Sequence, residues 1–100
     1  MWDDNQYEKL HLTAEDFKGL TRIRDSAFEN CYSLRSVEIP EGIREIGEGS
    51  FQSCGNLKMD ILTLPSTLKI LHPYAFYNDA MIRAFKILNK DSVIDSVDSN

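Results

Sequence analysis

The side chains of this 100-residue chain that invite a chemical reading are Cys31 and Cys54, His11 and His72, and acidic pairs such as Glu45 and Glu48. The two cysteines lie 23 residues apart, each three residues before a leucine and three after a phenylalanine, so they fall in one slot of a recurring pattern. A disulfide needs Cα atoms within about 7 Å and aligned Cβ vectors. The slot faces inward, so the cysteines read as buried free thiols that behave as small apolar groups, with a disulfide as the alternative. Neither histidine has Cys, Asp or Glu around it at metal-ligand spacing. Gly-rich phosphate loops, G-x-S-x-G and H-E-x-x-H are absent from the sequence. The acidic pairs read as solvated faces of turns. Catalysis requires titratable groups that converge, and the sequence predicts no catalytic residue, no metal site and no cofactor.

The elements that position these residues follow from a repeat. Leu20 and Ile43, Ile23 and Ile46, Phe28 and Phe51, Cys31 and Cys54, and Leu34 and Leu57 are each 23 apart. The next turn is longer by two: Pro40 and Pro65, Ile43 and Leu68, Ile46 and Leu71, Phe51 and Phe76, and Leu57 and Ile82 are each 25 apart. The two extra residues therefore lie between Leu57 and Pro65, in "KMDILTL", as a bulge or a longer lead-in to a strand. "LRSVEIP" alternates Val37 in, Glu38 out and Ile39 in, the pattern of a half-buried strand, and Pro40 ends the ladder because it has no N–H to donate. "EGIREIG" places Ile43 and Ile46 inward on a tight turn. "EGSFQSC" suits a single helical or 3₁₀ turn. Asn30 and Asn78 stand where that turn ends, a place that tolerates left-handed backbone, and Ser53 interrupts this pattern.

At the edges, "YEKLHLT" offers Tyr7, Leu10 and Leu12 at the spacing of Leu34, Val37 and Ile39, and "IRAFKIL" repeats it through Ile82, Phe85 and Ile87. The expectation is an α/β-type repeat solenoid over residues 1–100, one domain with repeats at 7–34, 34–57, 57–82 and a partial 82–97. It has about four parallel strands with irregular or short-helical returns. One coil cannot cover its own apolar face, and stacking buries a continuous core. Residues 89–100 read as a polar tail or a partial cap through Ile94 and Val97.

Within this frame the stretch from Ile23 to Pro65 resembles the BspA-like, or treponemal-type, leucine-rich repeat. The matching residues are Ala27-Phe28, Cys31, Leu34, Ile39-Pro40, Ile43 and Ile46-Gly47. A second copy runs through Phe51, Cys54, Leu57, Leu64-Pro65, Leu68 and Leu71. A third has Ala75-Phe76, then Asp79 in place of cysteine, then Ile82. The resemblance implies a curved solenoid with a parallel sheet on its concave side. It also implies binding, since the family includes bacterial surface adhesins and interaction proteins, some encoded by phages. It transfers no binding residue.

The side chains alternating with the strand core are then the candidate protein-binding face: Lys9, Ser36, Ile61 and Ala84 in one column, and His11, Glu38, Thr63 and Lys86 in the next. These columns mix signs and hold no aromatic cluster, and the extra residues would push Met59 or Ile61 outward. Trp2 either covers the first coil or awaits a partner. The chain is 42% hydrophobic and 27% charged with a net charge of -5 and a pI near 4.9, which argues against nucleic acid or anionic lipid as partner. No apolar stretch reaches the roughly 20 residues that span a bilayer, so membrane insertion is not expected. The start "MWDDNQYEKL" has no apolar signal region, so a cytoplasmic location is the default, with a virion or cell surface as alternatives. The expected function is a non-catalytic protein-interaction or assembly module. The alternatives are a structural component of a phage or cell-surface assembly, or a fragment of a secreted adhesin. Self-association through the solenoid ends would follow from exposed strand edges.

Overall fold

The repeat closes into coils because each one turns the chain three times. In the computed structural model, which describes residues 10–94, every coil carries a first strand, a second strand and a turn-rich return. The strands are β1 (His11–Leu12), β2 (Arg22–Ile23), β3 (Ser36–Val37), β4 (Glu45–Ile46), β5 (Leu62–Leu64), β6 (Ile70–Leu71), β7 (Phe85–Ile87) and β8 (Val93–Ile94). All described pairings are parallel. The fold is a short leucine-rich-repeat solenoid.

Strand number differs from the sequence reading. "EGIREIG" is more than a turn: Glu45–Ile46 and its counterparts in the other coils each form a second strand, and these strands build the longest ladder, β2-β4-β6-β8. The first strands form two separate pairs, β1-β3 and β5-β7. Ile46 pairs with Ile23 on one side and Leu71 on the other, so the 23- and 25-residue steps meet in one unbroken sheet.

The returns are chains of i,i+3 turns. Ala27 N–H donates to the Arg24 carbonyl, Cys31 to Phe28, and Leu34 to Cys31. They do not extend into helices because two slots per return adopt left-handed backbone: Ser26, Gly49 and Tyr74 in one, Asn30, Ser53 and Asn78 in the other. Ser53, with φ of 61°, keeps the geometry that its residue type disguised. Returns are stitched to one another: Phe28 N–H donates to Ser50 O (2.6 Å) and Phe51 N–H to Ala75 O (2.7 Å). Gly47 marks the closest approach, since a Cβ there would lie 2.5 Å from Asp25 Oδ1 and 2.6 Å from Asp25 N.

The interior is the shared core the repeat demands. Phe28, Phe51 and Phe76 stack with centroids 5.2 Å apart at each step and nearly parallel rings. Leu34 and Leu57, Ile43 and Leu68, and Ile46 and Leu71 are buried in register around them. Cys31 and Cys54 are free, buried thiols. The Cys54 thiol donates to the Phe28 carbonyl (3.1 Å).

The first coil corrects the sequence reading. His11 faces Ser36 and Leu12 faces Val37, a 25-residue step where Leu10 had been set against Val37. A slip of two residues keeps the same face inward, so Leu10 and Leu12 offered equivalent patterns. In the structure Leu12 is buried and Leu10 is 49% exposed. The two extra residues of this coil follow β1, where Ala14–Phe17 forms a 3₁₀ helix with the Thr13–Asp16 capping box. That helix drops Phe17 edge-on against Phe28 (6.4 Å, 77°). At the other end Ile94 packs against the core and pairs with Leu71. Trp2, Tyr7, Lys9 and Val97 lie outside the described residues.

Candidate protein-binding face

The first-strand side carries the feature that the repeat alone would not create. Residues Leu34 and Val37 are three apart, whereas their counterparts Leu57 and Leu62 are five apart. The extra length sits immediately before β5. Met59 forms an isolated bridge with Ile82, Lys58 N–H still reaches the Arg35 carbonyl (3.1 Å), and beyond that point β3 and β5 are unpaired sheet edges. Farther along, coils 2 and 3 rejoin where Glu41 accepts from both Ser66 N–H (2.9 Å) and Ser66 Oγ (2.6 Å). These hydrogen bonds hold the Glu41 carboxyl below its ordinary range.

Between the two pinned ends lies a cleft of about 410 Å³, within the range typical of ligand pockets. Val37, Ile39 and Leu62 line its wall, with Met59, Ile61 and Leu88 around them. Ile61 is 56% exposed and Leu88 47% exposed. Met59 instead packs against the core, so of the two residues expected to be pushed outward Ile61 is the more exposed. Glu38 and Glu41 also line the cleft, and among the described residues no Lys or Arg does.

The expected columns are partly assembled. Thr63 faces Lys86 in the β5–β7 pair, and the Ala84 carbonyl accepts from Leu62 N–H (2.9 Å). Glu38, Ile61 and Thr63 share the cleft, although the ladder break keeps Ser36 from pairing with Ile61 and Glu38 from pairing with Thr63. His11 is a neighbour of Ser36, not Glu38, and its Nδ1 shares a 2.6 Å hydrogen bond with Ser36 Oγ. Glu38 Oε1 accepts from Ala14 N–H (3.1 Å).

Next to the cleft, on the other side of the Lys58–Arg35 bond, a second hollow of about 380 Å³ is lined by His11, Arg35, Ser36, Asn56, Lys58 and Met81. Sequence reasoning passed over Arg35 and Lys58, as it did Glu41 and Leu88. A signal for the first two was available: Arg35, Lys58 and Arg83 are 23 and 25 apart, so the position after each inward Leu34, Leu57 or Ile82 is basic in three successive coils.

The acid whose pKa is raised is elsewhere. Asp79 occupies the cysteine slot of the third coil and is buried. Its Oδ1 accepts from Cys54 N–H (2.7 Å), while Oδ2 is buried without a partner. Burial pushes its pKa up to about 7. Contact with the Cys31 thiol, and then burial, push the Cys54 thiol far above its ordinary range. The unpartnered Ser50 hydroxyl is the other buried polar orphan. Among the described residues no group of three or more His, Cys, Asp or Glu could hold a metal ion. No helix among them is long and apolar enough to cross a membrane.

Comparison with known proteins agrees with this architecture. The BspA type leucine rich repeat region matches residues 3–97 in six copies. No curated protein matches the sequence. The crystal structure of a T. pallidum leucine rich repeat protein superposes with a TM-score of 0.74 over 88% of this chain at 24% sequence identity. This chain spans 42% of that protein. With the repeat, the parallel coils and the family match in agreement, the chain belongs to the BspA-type leucine-rich-repeat family.

Proposed function

We propose that this chain is a non-catalytic protein-binding module that engages its partner on the first-strand face, across coils 2 and 3. The observation that carries this reading is the cleft at the β3–β5 break, where apolar Ile61 and Leu88 stand exposed beside two unpaired strand edges. Exposed apolar surface rimmed by polar groups is what an interaction site offers. The buried perturbed groups lie in the Cys31–Cys54–Asp79 column, away from the cleft lining, and the perturbed group in the cleft, Glu41, is a carboxylate that Ser66 holds in its charged form, which favours binding over catalysis there. The test is capture of partners from the native host by the wild-type chain and by Ile61→Lys. A partner retained by the first and lost by the second supports the reading; a partner retained equally by both removes the cleft from it.

Self-association through the end of the stack is a second reading. It draws on the last coil, where Ile87 and Leu88 are exposed at the β7 edge and Val93 at the β8 edge. Light scattering across a concentration series tests it, and a monomer at high concentration rejects it.

A further inference from the structure

The chain is acidic overall, with a net charge of -5, yet one slot of the repeat is basic in three consecutive coils. Arg35, Lys58 and Arg83 each follow an inward apolar residue, and all three are exposed. Backbone bonds hold their coils together at this level: Lys58 N–H donates to Arg35 O (3.1 Å) and Arg83 N–H to Met59 O (2.9 Å). Among the described residues no carboxylate pairs with any of the three; the ion pairs involve Lys18, Arg22 and His72 instead. Neighbouring strands lie about 4.8 Å apart, so three successive coils set the cations along a stripe roughly 10 Å long. The hollow between Arg35 and Lys58 also presents the His11 ring, the Ser36 hydroxyl and the Asn56 amide, and among the described residues no acid lines it. Exposed cations beside hydrogen-bonding groups are a seat for carboxylates. The apolar cleft begins one residue farther along both walls, at Val37 and Met59.

We propose that the partner segment is an acidic peptide, with carboxylates on the Arg35–Lys58–Arg83 stripe and an adjacent apolar side chain in the β3–β5 cleft. This rests on the protein-binding reading above and adds the partner's chemistry to it. Glu41 at the far end of the cleft, with Glu38 before it on the same wall, sets the order, because these carboxylates repel acids placed beyond the apolar anchor. A peptide fits better than a nucleic acid: the stripe is short, the rest of the chain is acidic, and the cleft beside it is apolar.

A random-peptide display library selected on the full chain tests the proposal, with hits resynthesised for titration. The expected hits carry an acidic run beside one apolar residue. The exposed triple variant Arg35→Gln, Lys58→Gln, Arg83→Gln should weaken them by at least about tenfold, with a flatter dependence on salt, and Ile61→Lys should weaken them as well. Neutral or basic hits, or acidic hits that the triple variant binds unchanged, overturn the acidic-partner proposal and leave the protein-binding reading standing. Duplex DNA bound in place of peptides, and lost in the triple variant, overturns it in favour of another class of partner. A selection that enriches nothing overturns the protein-binding reading itself.

Discussion

The two strand sides of the solenoid respond differently to the same irregularity. On the second-strand side, steps of 23, 25 and 23 residues pass through one continuous four-stranded ladder. On the first-strand side a 25-residue step is tolerated between β1 and β3 but coincides with an open seam between β3 and β5. What separates the two cases is where the extra residues enter. In coil 1 they follow the strand, and a 3₁₀ helix absorbs them outside the ladder. In coil 3 they precede the strand, so β5 arrives beyond its bridge at Met59 without meeting β3. A repeat protein can therefore open a cleft without altering its core columns, by lengthening the approach to one strand.

The largest test of this contrast compares Ile46→Ala, at the centre of the unbroken sheet, with Leu62→Ala at the cleft wall. Both side chains are buried, but the cleft wall has room to relax. Chemical denaturation should show a loss of about 4 kcal/mol for Ile46→Ala and about 2 kcal/mol for Leu62→Ala. Equal losses would mean that the seam is as rigid as the sheet.

Asp79 bridges the same junction from the return side, through Cys54 N–H. Its pKa is about 7 in the folded chain against an ordinary 3.8. A carboxyl held above its ordinary range costs stability as the unfolded chain ionises, so its contribution should be fully favourable below about pH 4, fall between pH 4 and 7, and level off above 7. Denaturation at pH 8 should find Asp79→Asn more stable than wild type by about 3 kcal/mol, with the difference vanishing by pH 4. A flat pH profile in the wild type would contradict this.

Gly47→Ala acts at the junction where both ladders are intact. The new Cβ would meet backbone of Arg24 and Asp25, and a thermal melt should register a loss of about 2 kcal/mol. Ser50→Ala, which copies Ala27 and Ala75 at that slot, removes an unpartnered buried hydroxyl and should gain about 1 kcal/mol in the same assay. The smallest effect is expected at the seam itself: Ile61→Ser should change stability by less than about 0.5 kcal/mol. A larger loss would show that Ile61 is part of the core, not a side chain presented to a partner.

The core was legible because its periodicity is redundant. Phe28, Phe51 and Phe76, the thiol slot and the paired aliphatics all report one repeat, so a residue that departs from it, such as Ser53 or Asp79, does not obscure the rest. The second strand was less legible. Glu45–Ile46 is two residues long, and so short an element leaves no alternation to read. The binding face was legible only in part. Ile61 and Glu38 were found from alternation, but Arg35 and Lys58 stand outside the strand columns and show themselves only when successive coils are laid over one another.

Spacing in the chain was thus enough to establish coils, their stacking and the inward residues, because burial of apolar side chains at a fixed period admits few other arrangements. It could not choose between registers two residues apart, which present the same face to the core. Nor could it say which strands would pair. Those outcomes depend on backbone hydrogen bonds between residues more than twenty positions apart, and on whether two surplus residues find room before a strand or after it.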